Sequence, residues 1–489
     1  MGGTVVNHDQ QFIADVLIRD GLIVEVSPEI KAPEGTRVLD ATGLLVMPGG
    51  IDPHTHLDMP FMGTVTADDF YSGQAAALAG GTTMHIDFAL PVDHDIREGL
   101  RAWKEKAARS CMDYGFHMAI TKWDAEVSEA MEELVREGIN SFKFFMAYKG
   151  VLQVSDSELA SGLQRCKELG ALPMVHAENG DMVAWLQERL VSGGITGPEG
   201  HALSRPAALE GEATGRAIRL AGVVGVPLYV VHVMSIDAME EIARARQSGQ
   251  RVVGEPVASG LALDEGALWD ANFTRAAAFV MSPPIRAPHH APALRKLVAT
   301  DHAVFNSSQK AAGRHDFRKI PNGVNGIEER MHVTWQEMVV SGLATPSDFV
   351  RMTSTAAAQV FNVYPRKGRV AAGSDADVIL LDPRVSHTLG VGSHHSRMDT
   401  NVYEGKVVQG KVVTTISRGR LVWHEGRLRV EPGSGRFVPL PSHGPLFQAS
   451  AVRGHGMEEQ SRRAATFPYG PTPVPREGSQ QACSAAGAL

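Results

Sequence analysis

Cysteine is scarce in this sequence. The 489 residues include three cysteines, Cys111, Cys166 and Cys483, which are far apart along the chain. Three such cysteines cannot build a disulfide framework, and without a Cys-x-x-Cys pair the usual cysteine zinc site is excluded. The scarcity therefore predicts a reduced, intracellular protein, which we expect in the cytoplasm.

Excess positive charge and long apolar runs are also missing. The formal net charge is −8, with 47 lysines and arginines against 55 aspartates and glutamates, which argues against nucleic acid as a partner. The most apolar stretch, residues 223–234, is well short of the ~20 residues that span a bilayer. The first 21 residues show neither the basic nor the apolar region of a signal peptide. We expect no membrane span and no secretion signal.

Histidine, by contrast, is abundant, with 20 in the chain. Twenty histidines against three cysteines predict that any bound metal is held by imidazole and oxygen ligands. The other proportions, 43% hydrophobic and 21% charged residues, are those of an ordinary globular protein. A chain of this length suits roughly two to four domains, or one large α/β barrel with an accessory module.

Two different patterns divide the chain. Short strands with turns occupy residues 1–47 and again residues 366–440; neither part can bury a core alone, so we expect one small β-sandwich module built from both chain ends. Between them, in residues 48–365, apolar strands alternate with helices, which predicts a catalytic (β/α)8 barrel, a TIM barrel. Residues 441–489 lose this periodicity and become rich in Pro, Ser, Gln, Ala and Gly. We interpret them as a partly disordered C-terminal tail.

Chemically active side chains lie at the predicted strand ends of the barrel. His54 and His56 are two residues apart at the end of one strand, so both imidazoles point to the same side. His176, His232 and Asp301 end or follow three later strands, whereas a lysine, Lys143, lies inside the apolar run of residues 141–148. Each feature is weak alone, but catalytic groups of a TIM barrel emerge at the carboxyl ends of its strands. Their joint occurrence predicts a metal site.

The other histidines are interpreted differently. The pairs His289–His290 and His394–His395 lie among Pro, Ser and Gly residues typical of loops. We expect these pairs, and the remaining histidines, to be ordinary surface or loop residues.

Several motifs resemble one known family. They are GGIDPHTH (residues 49–56), SFKFFMAYKG (141–150), VHAENG (175–180), GITGPEGH (194–201), VVHVMS (230–235), IPNGVNG (320–326) and YPRKGRVAAGSDAD (364–377). These segments resemble the hydantoinase/dihydropyrimidinase family of cyclic amidohydrolases, and the resemblance runs from about residue 2 to residue 440. It implies a hydrolase of the cyclic amide bond in a TIM barrel with a β-sandwich module.

The resemblance also implies a cofactor. In the family, the lysine that matches Lys143 is carboxylated and bridges two zinc ions. One ion is held by residues matching His54, His56 and Asp301, the other by residues matching His176 and His232, and a hydroxide bridges both. Burial favours the neutral amine of a lysine, which can add carbon dioxide, so the implied carbamate agrees with a lysine in an apolar strand.

The implied reaction opens a cyclic ureide, 5,6-dihydrouracil or dihydrothymine, to an N-carbamoyl-β-amino acid in pyrimidine catabolism. By resemblance, Tyr148 donates a hydrogen bond to the developing oxyanion, and Asp301 carries a proton to the leaving nitrogen. Ser282 and Asn322 match positions that bind the substrate through the main chain. Relatives are homotetramers, which the resemblance implies here as well.

Alternative functions remain open. Dihydroorotase-like relatives place an arginine two residues after the second histidine, where this chain has Asp58, and this argues against an acidic substrate. Hydantoinase and allantoinase share the metal ligands. The collapsin-response-mediator proteins keep the fold as binding and assembly modules but have lost ligands. All six ligand positions are present here, which favours an enzyme.

One segment departs from the family pattern. Eighteen residues separate Ser282 from Asp301, and they must supply both a helix and the eighth strand. We therefore expect a shortened last β/α unit with the weakest local order, and a displaced Asp301.

Overall fold

The computed structural model of this chain describes residues 1–293 and 297–448. The strands are β1 (Gly3–Val6), β2 (Gln11–Arg19), β3 (Leu22–Ser27), β4 (Leu45–Pro48), β5 (Gly50–Thr55), β6 (Pro60–Phe61), β7 (Thr64–Val65), β8 (Thr82–Ala89), β9 (Asp113–Ile120), β10 (Ser141–Phe145), β11 (Leu172–His176), β12 (Leu228–Val230), β13 (Val252–Gly254), β14 (Val378–Thr388), β15 (Val407–Ser417), β16 (Arg420–His424) and β17 (Arg427–Leu428).

The α-helices are α1 (Phe70–Ala79), α2 (Ile96–Lys106), α3 (Ala125–Arg136), α4 (Asp156–Leu169), α5 (Gly180–Ser192), α6 (Glu199–Leu203), α7 (Ala207–Val224), α8 (Ile236–Gln247), α9 (Ala258–Ala262), α10 (Phe273–Ala278), α11 (Ser307–Lys310), α12 (Arg330–Thr334), α13 (Pro346–Val350), α14 (Ala356–Val360) and α15 (Pro445–Gln448). Within the described ranges, no helix is long and apolar enough to cross a membrane.

Local sequence explains where these helices begin and end. The side chain of Ser155 accepts from the N–H of Glu158, and the Glu158 carboxylate accepts from the N–H of Ser155, so a capping box starts α4. The helix ends at Gly170, whose φ of 60° is left-handed and is most readily adopted by glycine. Such signals place α4 directly between β10 and β11.

Seven parallel strands form the barrel sheet, in the order β5-β8-β9-β10-β11-β12-β13. Every residue of β8, β9, β10 and β11 is buried, because helices cover the outer face and side chains fill the interior. The eighth place is taken by residues 297–302, which bridge to Val257 on one side through Ala299 and to Thr55 on the other through His302. These main-chain contacts close the predicted TIM barrel.

The last β/α unit is indeed short. Residues 297–302 do not form a regular strand. A 3₁₀ helix at Pro288–Ala293 precedes them. Part of the helix expected in residues 293–300 falls on residues 294–296, which lie outside the described residues.

The two chain ends build one eight-stranded sheet, in the order β17-β16-β15-β14-β4-β1-β2-β3. The central contact joins them: β14 runs antiparallel to β4, with Leu380 opposite Val46. On its other edge β4 runs parallel to β1. As the sequence predicted, strands from both ends of the chain share one module, because neither set could bury its apolar face alone.

The segment after the last strand seals the amino-terminal end of the barrel. Val438 and Leu440 are fully buried in a cluster with Leu172 and Met174 of β11. The N–H of Val438 donates to the Tyr114 carbonyl at 2.7 Å. Residues 441–448, the first part of the predicted tail, continue this packing and include α15. Residues 449–489 lie outside the described residues.

Candidate active site

The two histidines of the His-Thr-His motif meet an aspartate at the carboxyl end of the barrel. The Nε2 atoms of His54 and His56 are 3.2 Å apart, and each lies 3.1 Å from Oδ1 of Asp301. Burial alone would raise the pKa of Asp301, but His54 and the hydrogen bonds from both histidines hold it well below the usual value. The carboxylate is therefore ionised, as a metal ligand must be.

The expected displacement of Asp301 is not observed. Asp52, on β5, accepts hydrogen bonds from the N–H of Thr300 at 3.2 Å and from its Oγ1 at 2.5 Å. The His56 N–H also donates to the His302 carbonyl at 2.9 Å. The short last unit is thus anchored to β5 by side chain and main chain, and Asp301 reaches the histidines without a regular eighth strand.

Lys143 lies in the barrel interior beside the first histidine. Its Nζ is 3.2 Å from Nε2 of His54 and 4.2 Å from the ring centroid of Phe88. Burial lowers the pKa of Lys143 to about 8, so much more neutral amine exists near neutral pH than for an exposed lysine. A neutral amine is the form that can react with carbon dioxide.

His176 and His232 form a second imidazole group. Their ring centroids are 4.4 Å apart, and the His232 ring stacks on His54 at 5.4 Å. In the described structure, Nε2 of His176 lies 2.8 Å from Oε2 of Glu178. Burial lowers the pKa values of both His176 and His232, which keeps the imidazoles neutral and able to ligate.

The main chain bends sharply at three of the predicted site residues. Tyr148, His232 and Asp301 have φ angles of 65°, 36° and 52°, in the left-handed region that non-glycine residues rarely adopt. The barrel strands end shortly before these bends: β10 ends at Phe145, although the apolar run extends to residue 148, and β12 ends at Val230. Such backbone strain clusters at functional sites, where the fold holds it in place.

Ser282 and Asn322 lie together on the wall of the cavity. Nδ2 of Asn322 donates to Oγ of Ser282 at 3.0 Å, and both residues line the same cavity as Tyr148, Lys143 and Asp301. Among the described residues, the main-chain N–H and C=O groups of Ser282 and Asn322 have no hydrogen-bond partner. These groups are therefore available to a ligand.

Burial raises the pKa of the nearby Tyr148 phenol, which stays protonated and able to donate. Its ring packs edge-on against Phe61, with centroids 5.8 Å apart. The apolar side chains of Met59, Leu90 and Leu152 line the cavity as well. Donors thus face an otherwise apolar wall, as in many small-molecule sites.

Sequence reasoning missed a buried glutamate. Oε1 of Glu255 lies 2.6 Å from Nδ1 of His54 and accepts from the N–H of His232 at 3.0 Å, while Tyr229 donates to its other oxygen. One carboxylate thereby orients a histidine of each group. Glu255 directly follows β13, so the strand-end rule that selected the histidines could also have selected it.

The prediction that the remaining histidines are ordinary surface or loop residues is confirmed for His289 and His395, which are exposed, but is wrong for several others. His85, His117, His201, His302 and His332 are buried, as are His290 and the side chain of His394. Each is satisfied by polar neighbours: Nε2 of His302, for example, lies 3.1 Å from Oδ2 of Asp68, and its Nδ1 accepts from Gly326 N–H. Local composition does not reveal such long-range partners.

The ligand atoms fit a metal. In a tetrahedral zinc site with bonds of about 2.0–2.1 Å, neighbouring ligand atoms lie about 3.3 Å apart. The two Nε2 atoms and Asp301 Oδ1 have that spacing, and among the described residues they are one of two groups able to hold an ion. The other group, Asp113, Asp375 and Asp377, surrounds the ammonium of Lys367 instead.

Comparisons with known proteins agree on the family that this chain resembles. The Amidohydrolase family matches residues 45–422. A dihydropyrimidinase of Arabidopsis thaliana is 62% identical over 455 residues, which cover 91% of this chain and 86% of that protein. Two crystal structures superpose on 90% of this chain and 98% of theirs, each at 44% identity: the dihydropyrimidinase of Brevibacillus agri (TM-score 0.89) and a D-hydantoinase of a Bacillus species (TM-score 0.88).

Fold, site and comparisons define the class of protein, a TIM-barrel hydrolase that acts on cyclic amides. Within that class, the chain belongs to the dihydropyrimidinase family of amidohydrolases. The resemblance noted in the motifs is confirmed, and so is the prediction of an enzyme.

Proposed function

We propose that this enzyme hydrolyses 5,6-dihydrouracil and dihydrothymine to N-carbamoyl-β-amino acids. The observation that supports this most is one cavity lined by Lys143, Asp301, Tyr148, Ser282 and Asn322, with four buried histidines around the first two. The cavity lacks the arginine that a carboxylate substrate would require at position 58, where the chain has Asp58. A neutral cyclic ureide agrees with these features.

The cofactor we propose is a pair of zinc ions, which a carboxylated Lys143 would help to hold. His54, His56 and Asp301 would hold one ion, and His176 and His232 the other. When bound, the ions lower the pKa of the water that they share towards ~7 and polarise the ring carbonyl. The lowered pKa values of His56, His176 and His232, and the ionised Asp301 carboxylate, support this assignment.

The residues of this chain would then have separate roles in the reaction. Main-chain groups of Ser282 and Asn322 hold the amide edge of the ring. Tyr148 donates a hydrogen bond to the carbonyl oxygen as negative charge develops there. Asp301 accepts the proton that the attacking water gives up and passes it to the ring nitrogen, while the bond from the carbonyl carbon to that nitrogen breaks.

A ring-opening assay tests the proposed function. Purified enzyme is incubated separately with dihydrouracil, hydantoin and allantoin, and the ring-opened product of each is quantified. We expect dihydrouracil to give the highest kcat/KM. A preference for hydantoin would favour the second candidate, a hydantoinase, which the match to a D-hydantoinase supports. Turnover of allantoin alone would contradict both.

The Tyr148→Phe variant should lower kcat about a hundredfold and leave KM within about threefold of wild type. The phenol removed would stabilise charge that exists in the transition state and not in the bound substrate. Steady-state kinetics on the preferred substrate measures both constants. Tyr71→Phe, which removes a hydroxyl far from the cavity, is the matched control, and unchanged kcat in Tyr148→Phe would remove the tyrosine from the mechanism.

We also propose that the enzyme is a cytoplasmic homotetramer, as its resemblance to the family implies. Large apolar side chains that are exposed on the single chain support assembly, among them Val151 (71% exposed) and Trp185 (49%). Light scattering coupled to size-exclusion chromatography measures the mass, and a monomer at micromolar concentration would contradict the proposal.

A further inference from the structure

A buried lysine joins the two loops proposed to hold the substrate. Lys310, the last residue of α11, is 1% exposed, and its Nζ donates to the Val280 carbonyl at 3.1 Å and to the Gly323 carbonyl at 2.8 Å. Val280 lies two residues before Ser282, and Gly323 directly follows Asn322. One amine therefore spans both loops.

The main chain around the contacts of Lys310 has little conformational freedom. The N–H of Gly323 donates to the same Val280 carbonyl at 2.9 Å. Gly323 has a φ of 155°, and a Cβ added to it would lie 1.9 Å from the Ala303 carbonyl oxygen. The loop of Asn322 is thus packed against Ala303, and both the Gly323 N–H and Lys310 connect it to the loop of Ser282.

Simple packing does not require an amine here. Among the described residues Lys310 has no carboxylate partner, and an apolar side chain of similar volume would avoid the cost of burying an ammonium. Burial lowers the pKa of Lys310 to about 7. Both the charged and the neutral amine keep at least two N–H groups, which is the number that the two carbonyls need.

Gln309, the residue before Lys310, connects a third segment to the two loops. Nε2 of Gln309 donates to Oγ1 of Thr64 at 2.6 Å and to the Val65 carbonyl at 2.7 Å. These residues form β7, the second strand of the hairpin whose first strand ends at Phe61 on the cavity wall. One turn of helix therefore contacts three segments that surround the cavity.

We propose that Lys310 is a positioning residue that fixes the Ser282 and Asn322 loops at the separation needed to bind the cyclic amide. The proposal rests on the proposed function, in which the main chains of these two loops hold the ring. It predicts a loss of substrate binding without a matching loss of the chemical step, because Lys310 does not touch the reacting atoms.

The test compares Lys310→Met with wild type on whichever cyclic amide the wild-type enzyme opens. We expect KM to rise about tenfold or more while kcat stays within about threefold. Lys319→Met, an exposed lysine nearby in the chain, is the matched control and should change neither constant. Unchanged KM in Lys310→Met, or a fall in kcat alone, would overturn the proposal.

A second measurement does not depend on turnover. Hydrogen exchange of the Gly323 amide should become about tenfold faster in Lys310→Met than in Lys319→Met, since the bond from this amide to the Val280 carbonyl loses the support of the Lys310 amine. This result can be obtained even if the wild-type enzyme opens no dihydropyrimidine, so failure of the proposed function and failure of this proposal are distinguishable.

If Lys310→Met does not fold, both measurements are repeated on Lys310→Gln, which retains an N–H donor group. If neither variant shows a cooperative unfolding transition, neither is folded. Lys310 would then be required for folding itself, which would also overturn the proposal.

Discussion

The Lys143→Ala variant should lose at least about a thousandfold in turnover of the wild-type substrate, together with most of its bound zinc. In the proposed function, the carbamate of Lys143 is the protein ligand that would serve both metal groups. Lys143 is buried and its Nζ lies 3.2 Å from His54 Nε2, so the variant leaves a gap at the wall of the cavity.

Two measurements check this prediction. Metal analysis should give about two zinc ions per wild-type chain and well below one per variant chain, and the ring-opening assay should show the corresponding loss. Short-chain carboxylic acids should restore part of both, because a small carboxylate fits the gap and supplies the missing oxygen ligands. Lys31→Ala, an exposed lysine of the β-module, is the control. Full activity and full zinc content in Lys143→Ala would exclude the proposed bridge.

Much of the barrel and of its site could be predicted from strand ends. Alternation of apolar strands and helices indicates a parallel barrel, and in such a barrel the carboxyl ends of strands converge. This reasoning places His54, His56, Lys143 and Asp301 together, and the structure shows contacts of 3.1–3.2 Å among them. The order of the residues along the chain is sufficient for this prediction.

Other features depend on partners that are distant in the sequence. The left-handed backbone at His232 and Asp301 is imposed by the surrounding fold, since residues other than glycine rarely adopt it. Asp301 stays in place after a short segment because Asp52, almost 250 residues earlier, bonds to Thr300. Buried histidines such as His302 are likewise explained by partners such as Asp68.

The Lys367→Met variant should lose about 3–5 kcal/mol of unfolding free energy at pH 8. Nζ of Lys367 is buried with three carboxylates, at 2.6 Å from Asp113, 3.0 Å from Asp375 and in hydrogen-bonding contact with Asp377. Asp113 begins β9 of the barrel, whereas Asp375 and Asp377 lead into β14 of the eight-stranded sheet. Arg418 still contacts Asp113 and Arg366 still contacts Asp375, so removing the lysine leaves Asp377 as a buried carboxylate without its cation, where barrel and sheet meet.

The loss should shrink as the pH falls. Although burial alone would lower the pKa of Lys367, the three carboxylates hold it above the usual lysine value, so its stabilisation is fully present at pH 8. Burial raises the pKa of Asp377, and Lys367 opposes this rise; without the lysine the pKa rises further. The folded variant then binds protons that the unfolded chain does not, and its stability increases as the pH drops towards 5.

Chemical denaturation of both proteins at pH 8 and pH 5 measures the difference. Adding Asp377→Asn to Lys367→Met removes one unpaired charge and should recover part of the loss at pH 8 but little at pH 5. Lys31→Met, on the exposed surface of the same module, should stay within about 0.5 kcal/mol of wild type at both values. A loss that is equal at pH 8 and pH 5 would show that packing, and not charge, accounts for the role of Lys367.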